Sequence, residues 1–434
     1  MRTINETEQA SKRVTRSPIR QFFSQLGPGL ITGAADDDPS GIGTYSIAGA
    51  SLGFATLWTA ILTFPLMSVV QFLCAKIGMV SGMGLAGVLR KHYSRAVLYP
   101  AVTGLLIANT INVGTDIGAI AAAINLIVPI PASWLIIPIA VIIVVVQVWA
   151  SYRAIARVFK WLTLTLFAYI GAAILARPPW GQVLKATFLP QLRWDGQYLT
   201  TLVAILGTTI SPYLFFWEAS EEVEEEINMG RRTLTQRKGA TYAELKVAAW
   251  DTNVGMFFCN LIFYFVILAA GVTLHTSGRT EIRSAAEAAQ ALAPLAGNAA
   301  SLLFAFGLIG SGFLAVPVLS GASAYAVAET FGWECSLDHK PHEAKQFYLV
   351  IAVSTLVGLS IDFLGINPMA ALFWTAVING LISPPLLVII MLVSNNRTIM
   401  GNKVNGRGAN IIGWVAAAVM FAGAIGMILT WNQQ

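Results

Sequence analysis

Apolar stretches long enough to cross a bilayer recur eleven times along the chain, at roughly 27 to 52, 55 to 79, 96 to 128, 132 to 152, 155 to 176, 198 to 220, 245 to 273, 298 to 328, 346 to 364, 368 to 394 and 410 to 431. Inside hydrocarbon every backbone amide and carbonyl must be satisfied within the segment, so stretches of about 20 apolar residues fold as helices. With 56% hydrophobic and 11% charged residues, the chain lies far from the balance of a soluble domain. The expected fold class is an all-α polytopic membrane protein of about 11 transmembrane helices. They are expected to pack as one domain, residues 26–434, behind a tail, residues 1–25. That tail carries Arg2, Lys12, Arg13, Arg16 and Arg20 without the apolar core or cleavage site of a secretory signal, and is expected to be cytoplasmic.

The net charge of +5 belongs to short connectors and forms no sustained basic stripe, which argues against nucleic acid as a partner. With the N-terminus inside, only Arg177, Lys185, Arg193, Arg279 and Arg283 of the 27 Lys and Arg residues fall outside. The positive-inside rule then places the C-terminal end, from Trp431, outside. Missing targeting sequence favours a bacterial inner membrane. Cys74, Cys259 and Cys335 have neither disulfide nor metal-ligand spacing and are expected to pack as small apolar side chains. The charged segment from Glu221 to Glu244, with Glu221 to Glu226 at its head, is expected to be a solvated cytoplasmic helix and turn. Asp251, Glu329 and Asp362 sit at or near span ends and are expected to reach water. His92, His275, His339 and His342 lie in connectors and receive no role.

The first apolar stretch contains Asp36-Asp37-Asp38-Pro39-Ser40-Gly41. One charge at the centre of a bilayer costs about 2.5 to 3.5 kcal/mol, so three together need water, a partner or a bound ion. Pro39 has no amide hydrogen to donate, and Ser40, Gly41 and Gly43 follow, so the helix is expected to open there. The sixth stretch has a matching interruption, Gly207-Thr208-Thr209-Ile210-Ser211-Pro212-Tyr213. Five spans separate the two points, so the second copy enters from the opposite face. This is the pattern of a 5+5 inverted repeat, about 26–176 and 198–394, with an extra helix at 410–431. In such repeats paired discontinuous helices build the substrate site near the midplane.

At these residues the chain resembles the Nramp family of proton-coupled divalent metal transporters, which have a LeuT-like fold. In that family the first span carries Asp-Pro-Gly-Asn and the sixth Met-Pro-His. Here they stand as Asp38-Pro39-Ser40-Gly41 and Ser211-Pro212-Tyr213, and Gly43 to Ala50 continues the likeness. Thr208 stands where the family usually has an alanine whose carbonyl binds metal. Asp116, before the small-residue run from Ala121 to Leu126, stands where the family has an acidic proton-pathway residue. The departures are Gly41 for asparagine, Ser211 for methionine and Tyr213 for histidine. Glu218 stands roughly where that span has a second histidine, and Thr375 and Asn379 lie near the place of an absent glutamine. The resemblance implies a transported divalent cation and protons as partners, with no cofactor.

The altered residues form an oxygen-rich set. A thioether lets a site prefer softer cations, and Ser211 removes it. The expected substrate-binding residues are Asp38, Ser40, Gly41, Thr208, Ser211 and Tyr213, with Asp38 and Asp37 as metal ligands. Such a set suits a hard divalent ion such as Mg or Mn. Asp36 and Asp37 have a second reading as the lining of a watery vestibule. Asp116 and Glu218 are the expected proton-pathway groups, being carboxylates inside the bundle. Helix N-termini after Pro39 and at Pro212 leave open a small anion as cargo. An Mg-dependent enzyme lacks a second facing acidic cluster, and a channel lacks a repeated filter sequence, so both rank lower.

Overall fold

The computed structural model describes residues 28–149, 164–337 and 341–433; the tail 1–25 and His339 lie outside them. All regular structure among the described residues is helical. The first span is in two pieces, α1 (Pro28–Asp36) and α2 (Pro39–Leu52). They are followed by α3 (Trp58–Ser81), a short α4 (Leu85–His92), α5 (Arg95–Ile127) and α6 (Ala132–Trp149). The fifth span, expected over 155 to 176, is described from Leu164 and includes α7 (Ala168–Leu175). A connecting α8 (Trp180–Phe188) leads to the second divided span, α9 (Gly196–Thr209) and α10 (Pro212–Asn228). Next come α11 (Tyr242–Thr273), α12 (Ala300–Phe331), α13 (Lys345–Leu359), α14 (Pro368–Asn395) and α15 (Arg407–Leu429).

Nine stretches among the described residues are long and apolar enough to span a membrane. The divided first span and the shorter apolar helix Leu164–Leu175 bring the number to the expected eleven. The protein is an integral membrane protein.

Proline by itself does not cut these helices. Pro65 in α3, Pro100 in α5, Pro138 in α6, Pro317 in α12 and the pair Pro384–Pro385 in α14 all lie inside continuous helix. Pro39 and Pro212 differ because each is the first residue of its helix, behind a residue in extended conformation. That position needs no amide hydrogen, so proline starts a helix there at no cost.

The two divided spans cross. Half-helix α1 contacts α10, and α2 contacts α9, so each half meets the opposite half of its counterpart. The surrounding packing repeats this exchange: α11 packs on α1 and α2 much as α3 packs on α10, while α5 and α12 pair with each other. Glycines set the closest approaches. A Cβ on Gly33 would stand 2.4 Å from the Gly255 carbonyl carbon, and one on Gly207 would stand 2.1 Å from the Ala376 carbonyl oxygen.

Two expectations about charge are corrected. The acidic run is helical as expected, continuing α10 to Asn228, but it is not solvated throughout: Glu222, Glu224 and Glu226 are buried. Two of them have partners to face: Tyr325 and Ser336 donate to Glu224, and Arg231 donates to Glu226. Asp251 does not reach for water either. It is 5% exposed and accepts the Gly29 amide at 2.8 Å, at the start of α1. Glu329 accepts the Gly87 amide in the first turn of α4.

Candidate cation site at the crossed helix breaks

Asp38 ends the gap in the first span and caps α2, with φ −71° and ψ 167°. Its Oδ1 accepts the Gly41 amide at 2.6 Å and the Ser40 hydroxyl at 2.8 Å. Its Oδ2 accepts Nδ2 of Asn112, from α5, at 3.0 Å. Asp38 is 1% exposed, so a carboxylate far from water is held by three neutral donors. This is a built anionic centre with no cationic side chain among its hydrogen-bond partners.

The second break is chemically different. Ser211 caps α10 in extended conformation but turns its hydroxyl backward, donating to the Thr208 carbonyl at 2.8 Å and the Gly207 carbonyl at 3.1 Å. The Tyr213 hydroxyl donates at 3.1 Å to the carbonyl of Ala35, near the end of α1, and so ties the two breaks together. Thr208 Oγ1 is the nearest neighbour of position 41, 3.0 Å from where a Cβ on Gly41 would be. It has no hydrogen-bond partner among the described residues. Gly41 therefore serves close approach of the two breaks.

The structure thus brings Asp38, Ser40, Gly41 and Thr208 together, with Ser211 and Tyr213 one step behind. Asp37 turns elsewhere. Its Oδ1 lies 3.4 Å from Cys259 Sγ, and the same thiol stands 3.0 Å from Asp36 Oδ2. Cys259 therefore does not pack as a bland apolar side chain; it bridges two buried carboxylates. Asp36 and Asp37 are 0% and 1% exposed, so neither lines a watery vestibule in this structure. Among the described residues no group of three His, Cys, Asp or Glu side chains is arranged to hold a metal ion by itself. A cation at Asp38 would draw its other ligands from hydroxyl, amide and carbonyl oxygens, the set that suits hard ions.

Asp116 is fully buried in α5, one turn beyond Asn112; the Ser40 amide in the first turn of α2 faces its carboxylate, which has no side-chain partner among the described residues. Glu218 lies seven residues along α10 from Ser211, roughly 10 Å at the helical rise, and does not join the site. It accepts the Thr32 hydroxyl and so holds the middle of α1. From α14, Thr375 Oγ1 lies 3.4 Å from Thr115 Oγ1, and the Ser383 hydroxyl donates to the Ile210 carbonyl inside the second break.

Crossed discontinuous helices around a buried carboxylate define a class of helical membrane carrier. The profile described as "Natural resistance-associated macrophage protein-like" matches residues 29–430. The chain belongs to the Nramp family. It is 25% identical over 421 residues to a "Divalent metal cation transporter MntH" of Klebsiella pneumoniae (strain 342), covering 96% of both chains. It is 28% identical over 425 residues to the protein of that name from Deinococcus radiodurans, covering 95% of this chain and 92% of the other. The fold matches a crystal structure of the Eremococcus coleocola manganese transporter with TM-score 0.74 and 18% identity, over 96% of this chain and 88% of that one. Mhp1, a nucleobase-cation-symport-1 family transporter in a closed conformation, matches with TM-score 0.53 and 13% identity, over 94% and 92%. The expected family and LeuT-like fold class are borne out.

Proposed function

We propose that the protein moves a divalent metal cation across a bacterial inner membrane, coupled to protons, with the N-terminus in the cytoplasm and the C-terminus outside. Asp38 is the anionic ligand. Ser40, Thr208 and the backbone around Gly41 complete the oxygen shell as the helices rearrange, with Ser211 and Tyr213 shaping the second break. Asp37 is a reserve carboxylate one residue from the site. The single observation that carries this reading is the Asp38 carboxylate, buried between crossed helix breaks and faced by neutral donors that a cation can displace. Family membership and relatives named as divalent metal cation transporters support it. The two repeats, about 26–176 and 198–394, supply one break each, a division supported by the exchanged packing of α3 on α10 and α11 on α1.

An anion fits this site poorly. The Gly41 amide that would greet it at the start of α2 already donates to Asp38, and a second negative charge there would be repelled. Asp116 is the proton-carrying group closest in sequence and on the same helix as Asp38's amide partner, and Glu218 is a second one farther along α10. Flux in proteoliposomes, measured for Mg, Mn, Ca and small anions with and without a proton gradient, tests the proposal. Saturable divalent uptake that rises with the gradient is the expected result; anion uptake without cation uptake would overturn it.

A further inference from the structure

Asn112 occupies an unusual electrostatic position. A carboxylate only accepts hydrogen bonds, so the amide must face Asp38 with its nitrogen, and the orientation of this side chain follows from chemistry. Its Nδ2 stands 3.0 Å from Asp38 Oδ2. The same N–H groups repel any cation that approaches that oxygen. A cation bound at Asp38 therefore requires the amide to withdraw or to turn over.

Turning over is the cheaper motion. The terminal torsion of asparagine is broad and roughly two-fold, so a half-turn exchanges nitrogen and oxygen with little movement of other atoms. The exchange also serves two groups short of partners. Asn112 Oδ1 is buried and has no hydrogen-bond partner among the described residues, and the Asp116 carboxylate, faced by the Ser40 amide, has no side-chain donor. Asp116 follows Asn112 by four residues on α5, a spacing that puts the two side chains on one face about 5 to 6 Å apart. Helical side chains lean toward the preceding turn, a direction that carries the Asp116 carboxylate toward Asn112. After a half-turn, Oδ1 faces the cation at Asp38 and the N–H groups face toward Asp116. Position 41 fits such a group only tightly, since even a Cβ there would stand 3.3 Å from Asp38 Oδ1 and 3.0 Å from Thr208 Oγ1.

We propose that Asn112 is a cargo ligand and a two-position switch: its amide nitrogen holds Asp38 in the arrangement seen here, and its amide oxygen coordinates the cation when Asp38 takes one. This rests on the reading of Asp38 as the anionic cation ligand. It assigns to α5 a direct part in cargo binding and adds a hard oxygen to the shell.

The test is Mn2+ binding by calorimetry and Mn2+ uptake in proteoliposomes, on full-length wild type, Asn112→Leu, Asn112→Asp and Asp38→Ala, each checked for a monodisperse, cooperatively unfolding preparation. Leucine keeps the bulk and removes both polar atoms. Loss of a group that orients or completes a metal shell commonly costs 10-fold to 100-fold in affinity. Asn112→Leu is expected to weaken Mn2+ affinity and raise KM by about that factor, with Vmax changed much less. Asn112→Asp offers a permanent oxygen ligand and is expected to bind Mn2+ at least as tightly as wild type, with KM and Vmax falling together. Mn2+ affinity of Asn112→Leu within twofold of wild type would overturn the proposal. If that variant does not fold, Asn112→Asp decides, and a tenfold loss of affinity there overturns it. Binding that survives in Asp38→Ala sinks the reading of Asp38 itself. A dead Asp38→Ala beside an unaffected Asn112→Leu removes the switch alone.

Discussion

The two helix breaks share a backbone plan and differ in what their capping residues do. At the first, Asp38 reaches forward and takes the Gly41 amide of the helix it starts. At the second, the Ser211 hydroxyl reaches back to the carbonyls of the helix just ended. One break therefore concentrates negative charge, and the other occupies its own freed carbonyls with a neutral donor. On the proposed reading, a cation would draw its attraction from the first break, and the second would set the fit.

The sharpest way to break this comparison is Asp38→Ala. It is expected to abolish saturable divalent uptake, a loss of at least 100-fold in Vmax/KM read by flux, while the lost cap costs the fold only about 1 kcal/mol. Next in size, Asp116→Asn is expected to remove most of the dependence of uptake on an imposed proton gradient and to leave Mn2+ affinity within a few fold. Gradient-driven uptake at the wild-type level would rule out Asp116 as the coupling group. Ser211→Met puts a thioether at the second break and is expected to shift competition toward Cd2+ over Mg2+ by roughly tenfold, since soft donors favour soft cations. An unchanged Cd-to-Mg ratio would show that residue 211 does not reach the cargo. Tyr213→Phe leaves the Ala35 carbonyl without its donor and is expected to lower stability by about 1 kcal/mol, seen as an earlier thermal transition. The smallest effect belongs to Ser211→Ala, expected to change uptake less than threefold, because its hydroxyl serves carbonyls that α9 has already placed.

Much of this architecture was legible in the sequence because membrane helices announce themselves by length, and because a proline directly behind Asp38 or Ser211 marks a helix start. The prolines inside α3, α5, α6 and α12 follow Phe64, Tyr99, Ile137 and Val316, and those helices run on; Ser383-Pro384 in α14 also lies in continuous helix, so a Ser-Pro pair alone does not mark a break. Asn112 and Cys259 were not legible as site residues. Each is a single polar or weakly polar side chain in an otherwise apolar span, and only the tertiary pairing of α5 and α11 with the first span brings them to the aspartates. The signal present for Asn112 was its spacing of four from Asp116, which puts both on one helical face. Burial of Glu224 was hidden for another reason: charge runs are read by composition, whereas its partners Tyr325 and Ser336 come from more than a hundred residues away.

The seating of α1 has a mechanical consequence. Its nine residues rest on α11 through Gly29 and Gly33, whose missing side chains let peptide planes touch, and through the Gly29–Asp251 hydrogen bond, while Thr32 ties it to Glu218 of α10. Glycine against backbone is a flush joint with no tenon: withdrawing α1 leaves behind no socket shaped for a lost side chain, and returning it demands no rotamer search. If α1 moves during transport, such a joint would let it part along one plane and reseat in the same register.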